Sequence, residues 1–182
     1  MNKRFTLRVI VYSALLVAIE VVLNRFCSIN TIGLKIGFGF VPIVVAAIMF
    51  GPIPAAVVYG LADLIGSLLF PIGPYFPGFT VSAVIMGAVY GLFLYKKPSD
   101  VSAEGKPTIK FFPNIVMPVL INSIAIGLFI NTGWVSILSG QRTYWGWFIY
   151  RIPEYLILIP VNLVLIPIIY RICGMLKKTV FK

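Results

Sequence analysis

The stretch from residue 36 to residue 95 constrains this chain most, because its sixty residues carry a single formal charge, Asp63. Nine glycines and six prolines interrupt the same stretch. A segment this apolar exposes more apolar surface than water tolerates, whereas the hydrocarbon interior of a bilayer favours it. The stretch therefore predicts membrane-spanning segments, and it makes the lone carboxylate a candidate functional group.

The composition of the whole chain agrees with a membrane protein. Of 182 residues, 60% are apolar and 11% are charged, and the mean hydropathy is +1.02; soluble domains carry about a quarter charged residues. A helix needs about 20 apolar residues to cross a bilayer, so the length allows roughly six spans and no separate soluble domain. We expect an all-α membrane protein in which residues 1–182 form one bundle of six transmembrane helices.

The apolar segments place the predicted spans. Their approximate limits are 5–26, 38–50, 53–70, 79–95, 109–131 and 147–173. The second has only thirteen residues, about 20 Å of helix against a hydrocarbon core of about 30 Å. We expect it to be tilted into protein or partly re-entrant. The connection at 27–37 is predicted to be a loop, and three prolines are expected to bend the last span.

The lysines and arginines predict the orientation. Eleven of the fifteen lie at the N-terminus, in the connector 96–110 or at the C-terminus. The remaining four, on the opposite side, are Arg25, Lys35, Arg142 and Arg151. By the positive-inside rule both termini are cytoplasmic. The net charge of +10 is then a topological signal, and no nucleic-acid partner is expected.

Aromatic residues accompany the four outer cations. They are Phe38, Phe40, Tyr75, Phe76, Phe79, Trp134, Tyr144, Trp145 and Trp147. Flat π surfaces beside fixed positive charge suit a ligand with a planar ring and carboxylates or phosphates. An aromatic belt at the membrane interface explains the same residues without a ligand. We favour a binding site, because the set is concentrated in three loops that prolines and glycines rigidify or bend.

Three carboxylates lie inside predicted spans, where ionisable groups indicate function by default. Asp63 can accept from two adjacent N–H donors of a heterocycle, or serve as a structural partner for backbone N–H groups, for Asn122 or for a basic residue. Glu154 follows Arg151 by three residues, so the two are expected to form an ion pair. Glu20 is expected to be a helix-packing hydrogen-bonding group.

The chain lacks the residues that many enzymes and ATPases need. It has no histidine and no Walker A sequence, so we expect no metal, no resident cofactor and no ATP site, and energised transport must rely on a partner. Ala14 and Ala18 form a small-xxx-small face that lets another helix approach closely. A membrane enzyme using Asp63 and Glu154, or a purely structural subunit, remain the alternatives from other classes.

Several motifs resemble the substrate-binding S components of energy-coupling factor (ECF) transporters, most of all the folate-specific ones. The motifs are Asn24-Arg25-Phe26, residues 34–42 (LKIGFGFVP), Phe50-Gly51-Pro52, Asp63-Leu64-Ile65-Gly66 and residues 73–80 (GPYFPGFT). The chain length, the six apolar segments and the pair Ala14/Ala18 also resemble those of S components. The last two spans share only their position and length with the family and carry none of its specific motifs.

The resemblance implies a multi-pass protein of a bacterial cell membrane that captures a vitamin at its outer face. It implies docking of the Ala14/Ala18 face on a transmembrane T component, which works with two cytoplasmic ATPase subunits that bind the ATP. It also implies that the loop at 27–37 acts as a gate.

Folate fits the outer residues, with pantothenate as the alternative vitamin. We expect the ligand carboxylates at Arg25, Arg142 and Arg151, and the pterin edge at Asp63. The remaining candidate contacts are Phe38, Tyr75, Phe79, Asn122, Trp134 and Trp145. Pantothenate is a small mono-anion without a ring, so nine aromatics would be excessive for it.

Overall fold

The computed structural model describes residues 3–31, 34–95, 112–140 and 143–180, and helices account for most of them. The first four are α1 Lys3–Arg25, α2 Phe40–Phe50, α3 Pro52–Leu69 and α4 Pro77–Leu94. The fifth helical segment, α5, joins a π-helix Phe112–Val116, an α-helix Met117–Leu120, a π-helix Ile121–Ile130 and an α-helix Asn131–Ser139; α6 is Tyr144–Val180. Five of these segments are long and apolar enough to cross a membrane, which α2 is not.

The short helix α2 lies within protein. Six of its eleven residues are buried, and it packs against α1, α3, α4 and α6. Neighbouring helices therefore supply the apolar surroundings that a helix of about 16 Å cannot obtain by spanning the bilayer itself. The tight turn that follows requires Gly51, whose φ of 96° is a conformation that residues with a Cβ rarely adopt.

The predicted loop at 27–37 contains a small antiparallel β-hairpin, which corrects the all-α expectation. Strands β1 Ile29–Thr31 and β2 Leu34–Ile36 pair so that Asn30 faces Lys35. Strand β2 contacts α6. The hairpin thereby brings Lys35 from a connecting segment to the side of the last helix.

Helices α3 and α4 pack closely through glycines. A Cβ on Gly87 would lie 2.5 Å from the carbonyl oxygen of Ala55, and a Cβ on Gly91 would overlap the backbone of Pro52. Only glycine permits backbones to approach this closely. The pair forms a rigid wall that positions residues of both helices for the site described below.

The last two segments extend beyond their predicted limits. Segment α5 continues to Ser139 rather than ending near 131, and α6 runs continuously through Pro153, Pro160 and Pro167. The π-helical turns of α5 were not predicted; such turns are rare and are frequently found at functional sites. The second of them includes Asn122 and Ser123.

The apolar core occupies one end of the bundle. It is formed by Val17 and Val21 of α1, residues 43–48 of α2, the first part of α3, the end of α4, the start of α5 and the distal half of α6. Its fully buried side chains include Ile43, Val58, Leu94, Val119 and Ile166. The other end, beside the hairpin, is hollow.

Candidate binding site

A cavity of about 870 Å³ opens at the hairpin end of the bundle. All six helical segments, strand β2 and the connection between α3 and α4 contribute to its wall. Ligand sites that enclose a drug-sized molecule have about 300–1,000 Å³. The cavity is therefore large enough for a ligand with several rings.

The structure brings six of the ten predicted ligand residues together. Those that line the cavity are Arg25, Asp63, Tyr75, Phe79, Asn122 and Arg151. Arg142 lies outside the described residues. The three others, Phe38, Trp134 and Trp145, are not part of the lining.

These three aromatics have other surroundings. Phe38 is half exposed. Trp134 donates its indole N–H to Ser82 Oγ at 3.1 Å and packs on Phe76, which itself lines the cavity. Trp145 is 65% exposed, as expected of a tryptophan at a membrane interface. Trp134 therefore supports the lining from behind, and Trp145 fits the aromatic-belt interpretation.

Arg25 reaches the cavity from the last residue of α1. Its guanidinium donates from Nη2 to Ser67 Oγ at 3.1 Å, while its buried Nε has no hydrogen-bond partner among the described residues. Gly66 makes this position possible, because a Cβ there would lie 2.8 Å from Nε. A planar cation with unused donor capacity is suited to a carboxylate ligand.

Asp63 is part of a short polar chain across the α3–α4 wall. Thr80 donates its hydroxyl to Asp63 Oδ2 at 2.8 Å, and the Tyr75 hydroxyl lies 3.2 Å from Thr80 Oγ1. These hydrogen bonds link Asp63 to Tyr75 in the connection between α3 and α4, which also lines the cavity. Asp63 therefore has a structural partner, one of its two predicted roles, and also faces the cavity.

Arg151 is held by three side chains of α5 and α6. It donates to Glu154 Oε2 at 3.2 Å, to Thr132 Oγ1 at 3.3 Å and to the Tyr155 hydroxyl at 2.8 Å. The ion pair with Glu154 confirms the prediction from their spacing. Because these three partners already use its donors, Arg151 is better suited to holding the cavity wall in place than to binding the carboxylate of a ligand.

Lys35 and Glu20 line the cavity although neither was predicted as a ligand residue. Burial lowers the pKa of Lys35 from 10.5 to about 8, and the neighbouring charge of Arg25 acts in the same direction. Glu20 is 1% exposed and accepts from Asn24 Nδ2 at 2.6 Å. Two features of the sequence could have indicated these residues. Lys35 lies on the predicted outer side, and Glu20 and Asn24 lie four residues apart on one helix face.

Six further aromatic residues line the cavity beyond the ten candidate ligand residues. They are Phe40, Tyr59, Phe76, Tyr90, Trp147 and Tyr155. Phe40, Phe76 and Trp147 belong to the outer aromatic set of the sequence analysis, whereas the three tyrosines do not. Gly127 makes room for Tyr155, because a Cβ there would lie 2.7 Å from the tyrosine ring. The polarisable walls and the polar groups near the mouth together suit an aromatic ligand with charged ends.

The cavity carries three carboxylates and three cations in its lining, namely Glu20, Asp63, Glu154, Arg25, Lys35 and Arg151. Among the described residues no group of histidines, cysteines and carboxylates could hold a metal ion. The arrangement can bind polar groups of both signs at fixed positions.

Residues 8–170 match the family described as the substrate-specific component of ECF transporters. The chain belongs to this family. A curated member of similar sequence, the folate transporter FolT of Clostridium novyi (strain NT), is 35% identical over 158 residues, which are 87% of this chain and 85% of that protein. S components are integral membrane proteins and not enzymes, so the predicted membrane localisation and non-enzymatic role are confirmed.

Two solved structures are similar to this S component. A crystal structure of FolT bound with folic acid matches with a TM-score of 0.72 and 31% identity, over 85% of this chain and 86% of that chain. The S component for biotin from an ECF-type ABC transporter matches with a TM-score of 0.65, over 98% of this chain and 95% of that chain. Because its identity is 19%, the second match concerns the fold alone.

Proposed function

We propose that this S component captures folate at the extracellular face and delivers it through a T component driven by two cytoplasmic ATPases. The match to FolT bound with folic acid, together with a cavity of about 870 Å³ at the hairpin end, carries the proposal. A pterin, an aminobenzoate ring and a glutamate tail need both aromatic walls and cationic ends. The lining supplies both.

The proposed orientation follows from charge. Eleven of the fifteen lysines and arginines lie at the termini or in the connector 96–110, and those that line the cavity belong to the remaining four. By the positive-inside rule the cavity then opens to the exterior and both termini are cytoplasmic. We propose that residues 1–182 act as one unit with six membrane segments, α2 being the segment that is shielded by its neighbours.

Within this unit, we assign the glutamate tail of folate to the mouth of the cavity. Arg25 has unused donor capacity there, and Lys35 adds a second cation. Tyr75 and Phe79 are proposed to contact the aminobenzoate ring. Asn122 lies further along the cavity wall, on the π-helical turn of α5. Arg142 remains a candidate for the second carboxylate.

Uptake into proteoliposomes tests the proposal. Vesicles containing this chain, a T component and two ATPase subunits are expected to accumulate labelled folate only when ATP is supplied to the ATPase side. Vesicles that lack this chain provide the matched control. Folate accumulation that is independent of ATP or of this chain would contradict the proposal, as would turnover of folate into a different compound by the purified chain.

A further inference from the structure

The β-hairpin is attached to the bundle at one place. Among the described residues, strand β1 packs only on β2, and β2 packs on no helix other than α6. Ile29 of β1 is 72% exposed. The chain is pinched at the base of the hairpin, since a Cβ on Gly37 would lie 2.5 Å from the Cβ of Ser28. The hairpin is therefore a small flap with a narrow base, and its attachment to the bundle depends on α6.

Glu154 joins α6 to the hairpin. Its carboxylate accepts a hydrogen bond from the backbone N–H of Lys35. Only two residues separate Thr31 from its partner Leu34, and strands joined this closely begin with a hydrogen-bonded pair. Such pairs alternate with non-hydrogen-bonded ones, so Lys35, which lies opposite Asn30, directs its N–H away from β1. Glu154 therefore satisfies a backbone donor that the pairing of the two strands leaves unused.

Two cations keep the Glu154 carboxylate in place. Arg151 donates to its Oε2 at 3.2 Å, and also to Thr132 Oγ1 of α5 at 3.3 Å. The Lys35 ammonium attracts the same carboxylate. Glu154 and Arg151 are both buried, and a buried carboxylate needs such compensation. Polar groups thus connect α5, α6 and the hairpin in one continuous cluster.

We propose that Glu154 is a latch, which holds the hairpin against the cavity and thereby sets the rate at which a bound ligand leaves. The second half of this inference rests on the proposed function, since it takes folate as the ligand. Glu154 acts here as a positioning residue through the backbone of Lys35, whose side chain lines the cavity. When strand β2 separates from α6, this part of the wall moves away from the ligand.

A flap with one attachment is the part of the described wall that opens most readily. Segments open locally where few buried contacts hold them, whereas the separation of two packed helices breaks many contacts at once. The latch consists of protein groups alone, so it forms in the free and in the ligand-bound protein alike. Its loss is then expected to accelerate association and dissociation together and to change the dissociation constant much less.

This kinetic pattern distinguishes a latch from a ligand contact. Glu154 itself lines the cavity, so a direct contact with folate is the competing explanation. Loss of a direct contact weakens binding mainly through faster dissociation, while the association rate stays nearly constant. The two roles therefore differ in whether the dissociation constant rises together with the dissociation rate.

The first experiment needs no ligand. Hydrogen–deuterium exchange of the detergent-solubilised chain, followed by mass spectrometry, measures the opening of strand β2. In Glu154→Ala we expect the β2 amides to exchange about tenfold faster than in the wild type or more, because a hydrogen bond to a charged group is lost. Ser136→Ala is the control, since it removes a hydrogen bond within α5 and does not line the cavity. Its exchange should equal that of the wild type.

A second pair of variants removes the donor instead of the acceptor and tests the latch if Glu154→Ala does not fold. Lys35→Pro lacks the backbone N–H, whereas Lys35→Ala keeps it, and both lose the ammonium. Proline is tolerated where the N–H of an edge strand points outward. We expect the remaining β2 amides of Lys35→Pro to exchange about tenfold faster than those of Lys35→Ala.

Stopped-flow measurement of folate binding completes the test. We expect the dissociation rate to rise about tenfold or more in Glu154→Ala, with a dissociation constant within about threefold of the wild type. Unchanged exchange in Glu154→Ala, or equal exchange in the two Lys35 variants, would overturn the latch. A dissociation constant that rises as much as the dissociation rate would make Glu154 a ligand contact and overturn its positioning role. A wild-type chain that binds no folate would overturn the proposed function, while the exchange experiment would still decide whether the latch exists.

Discussion

At the scale of single residues, Arg25 is the group on which anion capture depends most. Its guanidinium donates to Ser67, but its buried Nε has no hydrogen-bond partner in the described part of the chain. Truncating one member of a desolvated, charge-assisted pair costs about 2–5 kcal/mol. Arg25→Ala is therefore expected to weaken folate binding by tenfold or more in calorimetry.

The matched control for that variant is Arg171→Ala. Arg171 is an exposed cation on α6 that does not line the cavity, and its removal is expected to leave the affinity within about twofold, since surface substitutions act weakly. Equal affinities of Arg25→Ala and the wild type would remove Arg25 from the site.

Lys35 predicts a pH dependence of binding. Its pKa of about 8 in the free protein rises when an anion binds, because an opposite charge favours the protonated form. The contribution of Lys35 is thus fully present below about pH 8 and is lost as the pH rises through the higher pKa of the complex. We therefore expect the affinity for the anionic ligand to fall as the pH rises above 8. Above this pH the complex is expected to take up protons when it forms.

Lys35→Arg is the control for this titration, because an arginine stays charged throughout the range. The titrations of the ligand itself are common to both proteins. A pH profile of the wild type that coincides with that of Lys35→Arg, measured by calorimetry in buffers of different ionisation enthalpy, would rule out a role of the Lys35 ammonium.

The residues that the sequence predicted share one property. Arg25, Asp63 and Tyr75 were recognisable because each is a chemically distinctive group in an apolar or proline-rich stretch. Trp134 and Trp145 lie outside the cavity lining, because the sequence predicts the depth of a residue in the membrane but not the direction in which its side chain points around the helix. Glu20 and Lys35 were missed for the converse reason, since tertiary packing turns both into the cavity.

At the scale of secondary-structure elements, the contact between α3 and α4 is expected to limit stability. A methyl group at Gly91 would overlap the backbone of Pro52, and backbone yields less readily than a side chain. Overpacking of this kind costs about 1–3 kcal/mol or more. Gly91→Ala is expected to lower the melting temperature in detergent by about 5 °C or more.

Gly174→Ala is the matched control. Among the described residues outside its own helical turn, no atom lies within 4 Å of a Cβ built at Gly174, and alanine is the better helix former by about 1 kcal/mol. Its melting temperature is expected to equal or exceed that of the wild type. Equal melting temperatures of both variants would show that the α3–α4 contact is looser than the structure indicates.

The helical elements could largely be predicted, and the exceptions have physical causes. Apolar runs placed each helix, including the short α2 and the continuous helix through three prolines. The hairpin escaped prediction because three-residue strands carry too little periodic signal. The π-helical turns of α5 were not predicted, because no residue pattern marks them. Such turns are local adjustments of the backbone, and neighbouring helices help to satisfy the backbone groups that lose their usual hydrogen bonds.

At the scale of the whole molecule, α1 presents an exposed face of small and apolar side chains. Ala14 and Ala18 are exposed, together with Leu7, Val11 and Leu15. We propose that this face docks on the T component, whose helices can approach closely where side chains are small. Ala14→Trp combined with Ala18→Trp is expected to prevent assembly and ATP-driven uptake.

The same double variant is expected to bind folate with wild-type affinity, because neither alanine lines the cavity. Leu92→Trp, at an exposed residue of α4 outside this face, provides the control and should leave uptake nearly unchanged. Retained uptake in the double tryptophan variant, measured in proteoliposomes, would place the docking surface elsewhere.

Equilibrium binding to the solubilised wild-type chain shows whether folate is the ligand of the cavity. Titration calorimetry with folate, pantothenate and thiamine compares vitamins that differ in rings and in charge. We expect tight binding of folate alone, at a stoichiometry of one, since only folate among the three combines a heterocycle that carries N–H donors with carboxylates. Tight binding of pantothenate with none of folate would contradict it.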